Sequence, residues 1–238
     1  MDSYGMAQQI NCFSMVPWDM TFRYYDAAAD SLCDLKTTTS AQEYRELWTA
    51  FLRSFSKHLQ ERGWLERTHI AMDERGLENM LEAWDVAQAA APELKMALAG
   101  DYHAELATKL ADYCIPFGKQ FPPKMREYRR KKGFVTTYYT CCTERHPNLF
   151  SNSDPAEAAS LPLYALARQF DGYLHWSWLN WTDDPLRDTR FKLFAPGDTY
   201  LVYPDGRSSV RWERFIEGVQ LSEKVRLLQE FLEARDTG

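Results

Sequence analysis

Apolar and polar positions follow two periods along the chain. Over residues 41–62 the large apolar side chains Tyr44, Leu47, Trp48, Phe51, Leu52, Phe55 and Leu59 recur at helical spacing, and Gly63 closes the segment. Short runs of strand character flank it at residues 9–16 and 68–72. The alternation then continues. A helix over 77–91 closes at Pro92, a strand covers 94–99, a short helix 105–111, and a short strand 113–115 precedes Pro116. Further on, 123–132 reads as helix, 134–139 as strand, 155–169 as helix and 173–178 as strand. This strand-then-helix order predicts an α/β chain of the (β/α)8 TIM-barrel type. About six strands are visible. Six cannot close an eight-stranded barrel. The expectation is therefore an incomplete barrel whose first strand-helix units are missing from this chain, unless the strand count is short.

No repeat or low-complexity linker divides the chain, so residues 1–238 are expected to be a single catalytic barrel region. Its end differs from the rest. A strand is predicted over 199–203, a turn at Pro204-Asp205-Gly206, and a last helix from about residue 210 to 234. Trp212, Phe215, Val219, Val225, Leu228 and Phe231 of that helix are available to cover the outer face of the barrel.

Charge narrows the range of partners. With 28 basic against 34 acidic residues the net charge is -6, which argues against a general polyanion binder and so against nucleic acid. The one basic cluster, Arg126, Arg129, Arg130, Lys131 and Lys132 around Tyr128, ends an amphipathic stretch just before Gly133, where positive charge suits a helix C-terminus. No apolar segment reaches membrane-spanning length, and residues 1–9 lack a basic start with an apolar run behind it. Localisation and oligomeric state stay open. Five cysteines without a repeated spacing make no disulfide framework, and neither CxxC nor HExxH occurs, so no metal or other cofactor is expected.

The candidate chemistry lies where the run Thr68 to Met72 ends on two adjacent carboxylates, Asp73 and Glu74. Charge at a buried strand end is costly unless it is used. The carboxyl ends of the strands form the face where such folds place their chemistry, and glycoside cleavage wants one protonated carboxyl beside an ionised one. The competing reading makes Asp73 the N-cap of a helix starting at Glu74. Both residues can serve one sugar only where the strand is ending, because neighbours within a strand point to opposite faces. Arg75-Gly76 immediately after them fits such an ending. Arg75 either pairs with a carboxylate or contacts substrate. His103, just after a predicted strand, is a pocket-loop candidate or an ordinary loop histidine.

Two aromatic-rich segments strengthen the glycoside reading: Phe134 to Cys141, and Gly172 to Trp181 with three tryptophans. A sugar ring presents apolar C–H faces together with hydroxyls, so its pocket needs flat aromatic platforms and a few polar tips. Trp178 and Trp181, toward the end of the strand, are candidate sugar contacts, whereas Trp176 reads as core. Asp183 and Asp184 before Pro185 read as a turn, and Asp198 as a loop determinant.

Several ordered blocks resemble the catalytic region of glycoside hydrolase family 123, the β-N-acetylgalactosaminidase family, in its carboxyl-terminal part. They are Met72-Asp73-Glu74, Tyr138-Tyr139-Thr140-Cys141, Phe170 to Trp176, Asn180-Trp181, Gly197 to Pro204, Ser209 to Arg214 and Glu217-Gly218. The resemblance implies release of terminal β-linked N-acetylgalactosamine by a retaining, substrate-assisted mechanism, in which the sugar's 2-acetamido oxygen is the nucleophile and no cofactor takes part. It implies that Glu74 is the acid/base and that Asp73 orients the acetamido N–H. Tyr139 is then the preferred acetamido hydrogen-bond partner, with Tyr138 pointing into the core by alternation. The partners implied are β-N-acetylhexosaminide glycans or glycolipid headgroups. Two other classes remain: an inactive carbohydrate-binding barrel, and a retaining glycosidase with a second carboxylate about 5 to 5.5 Å from the first that acts on another hexoside.

Overall fold

The computed structural model describes residues 2–5 and 8–236. Six strands, β1 (Ile10–Phe13), β4 (Thr68–Met72), β5 (Lys95–Ala99), β6 (Asp112–Pro116), β7 (Val135–Thr140) and β8 (Gly172–His175), form in that order an open (β/α)-type barrel sheet. Among the described residues neither β1 nor β8 carries a further neighbour on its outer edge. The chain divides into two compact units, residues 1–114 with 120–135, and residues 115–119 with 136–238.

In the first unit β1 (Ile10–Phe13) pairs in parallel with β4 (Thr68–Met72), and β4 with β5 (Lys95–Ala99). All five residues of β4 are buried, the expected state of a central parallel strand covered on both faces. Helix α1 (Gln42–Glu61) precedes β4, α2 (Leu77–Ala90) follows it, and a short α3 (Ala104–Ala107) leads to β6 (Asp112–Pro116), with α4 (Pro123–Lys131) after that. These positions agree with the sequence periods to within a few residues.

An antiparallel hairpin, β2 (Thr21–Asp26) and β3 (Ser31–Lys36), departs from the expectation. It explains why the apolar stripe of α1 is wider than a core requires. Tyr44, Leu52 and Leu59 are buried. Phe22 of the hairpin packs against Tyr44 and Trp48, with ring centroids 5.8 and 5.7 Å apart.

The basic cluster also differs from a simple helix cap. Arg130 and Lys131 are exposed on the last turn of α4, but Arg129 is fully buried. Its guanidinium donates to the carbonyls of Ala107 and Leu110 (both 2.8 Å) and Val135 (2.6 Å). Those of Ala107 and Leu110 lie at and just beyond the end of α3, so Arg129 supplies donors that this short helix lacks. The rings of Tyr113, Phe121 and Phe134 stand 5.3 to 5.7 Å from the guanidinium carbon, so its charge is sheltered by π faces.

In the second unit β7 (Val135–Thr140) pairs in parallel with β8 (Gly172–His175). Helix α5 (Pro155–Arg168) starts on an Asp154 cap whose carboxylate accepts from the Ala156 N–H at 2.8 Å. The final helix α6 (Val210–Asp236) approaches α5 so closely that a Cβ on Gly218 would fall 2.3 Å from the Ala159 carbonyl oxygen. Only glycine permits that approach.

Two expectations change here. Strand β8 ends at His175 rather than 178, and residues 199–203 make a single antiparallel bridge, Tyr200 to Leu179, instead of a strand. Side chains take part of the segment's hydrogen bonding. The Tyr200 carbonyl goes to buried Arg211 (2.9 Å), which also serves Leu149 and Gly197 (2.6 Å), and the Val202 carbonyl to the Trp181 indole, so side chains take acceptors that a longer ladder would use. Helix α6 packs through its first half, where Phe215 meets Tyr173 and Trp178 at 5.7 Å each. Leu228 and Phe231, expected to cover the barrel, are exposed.

Candidate active site

The register of β4 against β5 pairs Met72 with Leu98, so Asp73 and Glu74 are the first residues beyond the strand on its carboxyl side. Helix α2 begins only at Leu77, with Gly76 at its N-cap. Asp73 is therefore not a helix cap. It lies in a short connection with Glu74, and Asp73 is half-buried while Glu74 is exposed. From β5, Gly100 lies beneath the acid: a methyl there would be 3.5 Å from Glu74 Cα and 3.8 Å from its Cγ.

Three groups hold the Asp73 carboxylate. Oδ1 accepts from the backbone N–H of Glu74 at 2.8 Å, and Oδ2 accepts from the Trp18 indole N–H at 3.1 Å. The Arg75 guanidinium stands 3.6 Å from Oδ2. Arg75 itself is almost wholly buried; it donates from Nε to the Val16 carbonyl (2.9 Å) and from Nη1 to that of Glu74 (2.6 Å). The Trp18 ring covers it at 3.5 Å. Burial lowers the guanidinium's pKa, and the Asp73 and Glu74 carboxylates oppose that shift. Arg75 thus pairs with Asp73, one of the two roles that the sequence left open. His103 occupies the N-cap position of α3, with its backbone N–H bound to the Tyr113 hydroxyl at 2.8 Å.

The second unit places the aromatic candidates as follows. Tyr139 is buried on β7, and Tyr138 faces α5, where its hydroxyl donates to the Leu161 carbonyl at 2.7 Å. Trp178 is half-buried in a cluster with His175, Trp212 and Phe215, centroids 5.4 to 5.7 Å away. Trp181 is exposed and donates its indole N–H to the Val202 carbonyl at 2.8 Å. Trp176, read from sequence as core, is exposed and lies over Phe194 at 4.7 Å. Its indole N–H donates to Asp198 Oδ2 at 3.1 Å.

Sequence reasoning did not single out Trp18, and the burial of Asp198 had no signal in the sequence. The logic that selected the strand-end tryptophans applies equally to Trp18, which follows β1 by a few residues. Asp198 is buried, and desolvation pushes its carboxyl up to about 6, with the Trp176 hydrogen bond opposing and Glu144 reinforcing the shift. His175 is its neighbour, within 2.7 Å of the Asp198 carbonyl through Nε2. A carbonyl only accepts, so Nε2 carries the proton, and burial brings this imidazole down to about 4.

These two groups oppose each other in their linkage to stability. From about pH 4 to 6 folded Asp198 binds more protons than the unfolded chain, so its contribution falls as pH rises; folded His175 binds fewer up to 6.5, so its contribution rises. Asp198→Asn keeps an acceptor for Trp176 and removes one side of this balance. Melting temperature measured against pH is expected to show the variant gaining on the parent chain between pH 4 and 6 and holding the gain above it. A difference independent of pH would mean that folded Asp198 titrates as it does in water.

Among the described residues no group of three or more His, Cys, Asp or Glu side chains could hold a metal ion, and no helix is long and apolar enough to cross a membrane. The chain resembles a solved structure of a family 123 glycoside hydrolase from Clostridium perfringens, described in terms of glycolipid glycan hydrolysis. Identity is 29%, the TM-score is 0.85, and the alignment covers 96% of this chain and 43% of that one. The chain thus spans less than half the length of that enzyme. Comparison with curated proteins finds no match. Residues 1–228 match the glycoside hydrolase 123 catalytic domain, and with the acid pair at the end of β4 and the open barrel sheet this places the chain in glycoside hydrolase family 123.

Proposed function

We propose that this chain is the catalytic region of a β-N-acetylgalactosaminidase that removes terminal β-linked N-acetylgalactosamine with retention, through an oxazoline intermediate. The observation that supports the reading is the different setting of two adjacent carboxyl groups just beyond β4: Asp73 is held by an N–H, an indole and a guanidinium, and Glu74 is exposed.

In the first step the acetamido carbonyl oxygen attacks the anomeric carbon as the bond to the leaving oxygen breaks, and Glu74 gives its proton to that oxygen. Asp73 accepts the acetamido N–H and faces the positive charge that develops on the new ring. In the second step the Glu74 carboxylate takes a proton from water as the water opens the oxazolinium at the anomeric carbon. Tyr139 is assigned to the acetamido group and Trp181 to a sugar face, both on the family resemblance; His103 and Arg75 complete the assignment from the acid-bearing unit. Trp178 is the weaker platform, because its ring already packs in a cluster with His175, Trp212 and Phe215. Glycolipid headgroups are the substrate class suggested by the Clostridium perfringens relative.

One observation favours a second reading, sugar binding without turnover: among the described residues the sheet has six strands where a closed barrel has eight. A single experiment separates the readings. Matched aryl β-glycosides of GalNAc, GlcNAc and galactose are offered to the purified chain, with release of the aryl group and ligand binding both followed. Cleavage of the acetamido sugars but not of galactoside, with GalNAc preferred, is expected. Equal cleavage of galactoside would point to a glycosidase with a protein nucleophile, and binding without release to the second reading.

A further inference from the structure

We propose that Trp18 is a positioning residue for the reaction, fixing the Asp73 carboxylate through its indole N–H; the inference rests on the function proposed above. Trp18 is 74% exposed, so burial does not explain where it sits. Two specific contacts do. Its N–H meets Asp73 Oδ2 at 3.1 Å, and the face of its ring lies 3.5 Å from the Arg75 guanidinium carbon.

The loop that carries it is anchored on the inside. Met15 and Val16 are fully buried; the Tyr44 hydroxyl of α1 donates to the Met15 carbonyl at 2.9 Å, and Arg75 Nε donates to that of Val16. The backbone turns just after, with Met20 N–H donating to the Pro17 carbonyl at 3.2 Å. The backbone on either side of Trp18 is thus held, its ring lies on Arg75, and the donor it presents to Asp73 is placed by both.

An indole suits this task because it is a donor only and does not titrate. It can hold a carboxylate in one rotamer without bringing a proton that could compete in the chemistry. With Oδ1 on the Glu74 amide and Oδ2 on the indole, the carboxylate plane is set by groups from two different loops. Each oxygen keeps a lone pair, and the substrate's acetamido N–H is the donor these remaining acceptors await. A carboxylate free to rotate would meet that N–H in only part of its population, and small misplacements are costly in rate.

The test is a double-mutant cycle on an aryl β-GalNAc substrate with Trp18→Phe and Asp73→Asn. Phenylalanine keeps a ring over Arg75 and loses the N–H. Trp18→Phe is expected to lower kcat about 10-fold or somewhat more, the scale of a hydrogen bond to a charged group, while KM moves less than about twofold. In the Asp73→Asn background the same change is expected to cost little further, because Trp18 acts through Asp73.

A second readout uses N-fluoroacetyl and N-difluoroacetyl substrates. Fluorine weakens the attacking oxygen but strengthens the N–H as a donor, so a well-placed Asp73 offsets part of the loss. The decline across the series is expected to steepen in Trp18→Phe. Equal kcat and equal slope for the variant and the parent chain would overturn the positioning role while leaving the proposed function standing, and so would full additivity in the cycle. If the parent chain neither cleaves these substrates nor binds the thiazoline analogue of the GalNAc oxazoline, the proposed function falls and the role of Trp18 with it.

Discussion

Glu74→Gln is expected to lower kcat on an aryl β-GalNAc substrate by two to four orders of magnitude, roughly the range of general acid/base catalysis. Glutamine has the shape of the acid without the proton to give or the negative charge to receive one. The loss is expected to depend on the leaving group. A poorly basic phenol departs with little protonation, so its first step survives, whereas an alkyl glycoside loses both steps. Azide is expected to restore turnover of the activated substrate as the β-glycosyl azide, because an anion needs no base to attack the oxazolinium. Asp73→Asn is expected to act differently: replacing the acceptor that faces the N–H with an amide slows formation of the intermediate for every leaving group. Kinetics of both variants on phenols of graded acidity check the division of roles. A Glu74→Gln chain that still cleaves alkyl glycosides at the parent rate would remove Glu74 from the mechanism.

The second large effect concerns stability. Arg129→Met leaves the buried carbonyls of Ala107 and Leu110 and the half-buried one of Val135 without the guanidinium that serves them. An unsatisfied buried acceptor costs about 1–3 kcal/mol, so the sum is roughly 3–5 kcal/mol after partial relaxation. Arg129→Lys keeps the charge but not the planar fork, and is expected to recover only part of that. Denaturant unfolding of the three proteins measures the difference directly. A loss in Arg129→Met below about 1 kcal/mol would mean that water reaches those carbonyls and that the fork is not what satisfies them. The effect on fold is expected to be large because α3 is a single turn of four residues, too short to stand on its own hydrogen bonds.

Legibility in the sequence followed the range of the interaction being read. Periods within a window of a few residues placed β4, α2, β5 and α5 nearly residue for residue, because local geometry alone decides which side chains share a face. The same local logic put the acid pair at a strand end and sent Tyr138 to the core side of β7. It failed for the segment over 199–203, whose composition reads as strand, because distant side chains, Arg211 at the Tyr200 carbonyl and Trp181 at that of Val202, take acceptors there in place of a longer ladder. It also failed for the hairpin β2 and β3, whose packing surface is the outward half of the α1 stripe.

What the sequence determined by itself was the alternation of strand and helix, the incompleteness of the barrel sheet, and the placing of Asp73 and Glu74 where β4 stops. Each is a property of residues close together in the chain. What only the tertiary structure decided was how those carboxylates are held. Trp18 reaches Asp73 across a separation of 55 residues, and Arg75 turns back to the carbonyl of Val16 across 59. The burial of Arg129, Asp198 and His175 belongs to the same group. A charged or polar side chain carries no local mark of whether water or a distant carbonyl will satisfy it. That choice is made when the elements pack and each buried donor must find an acceptor.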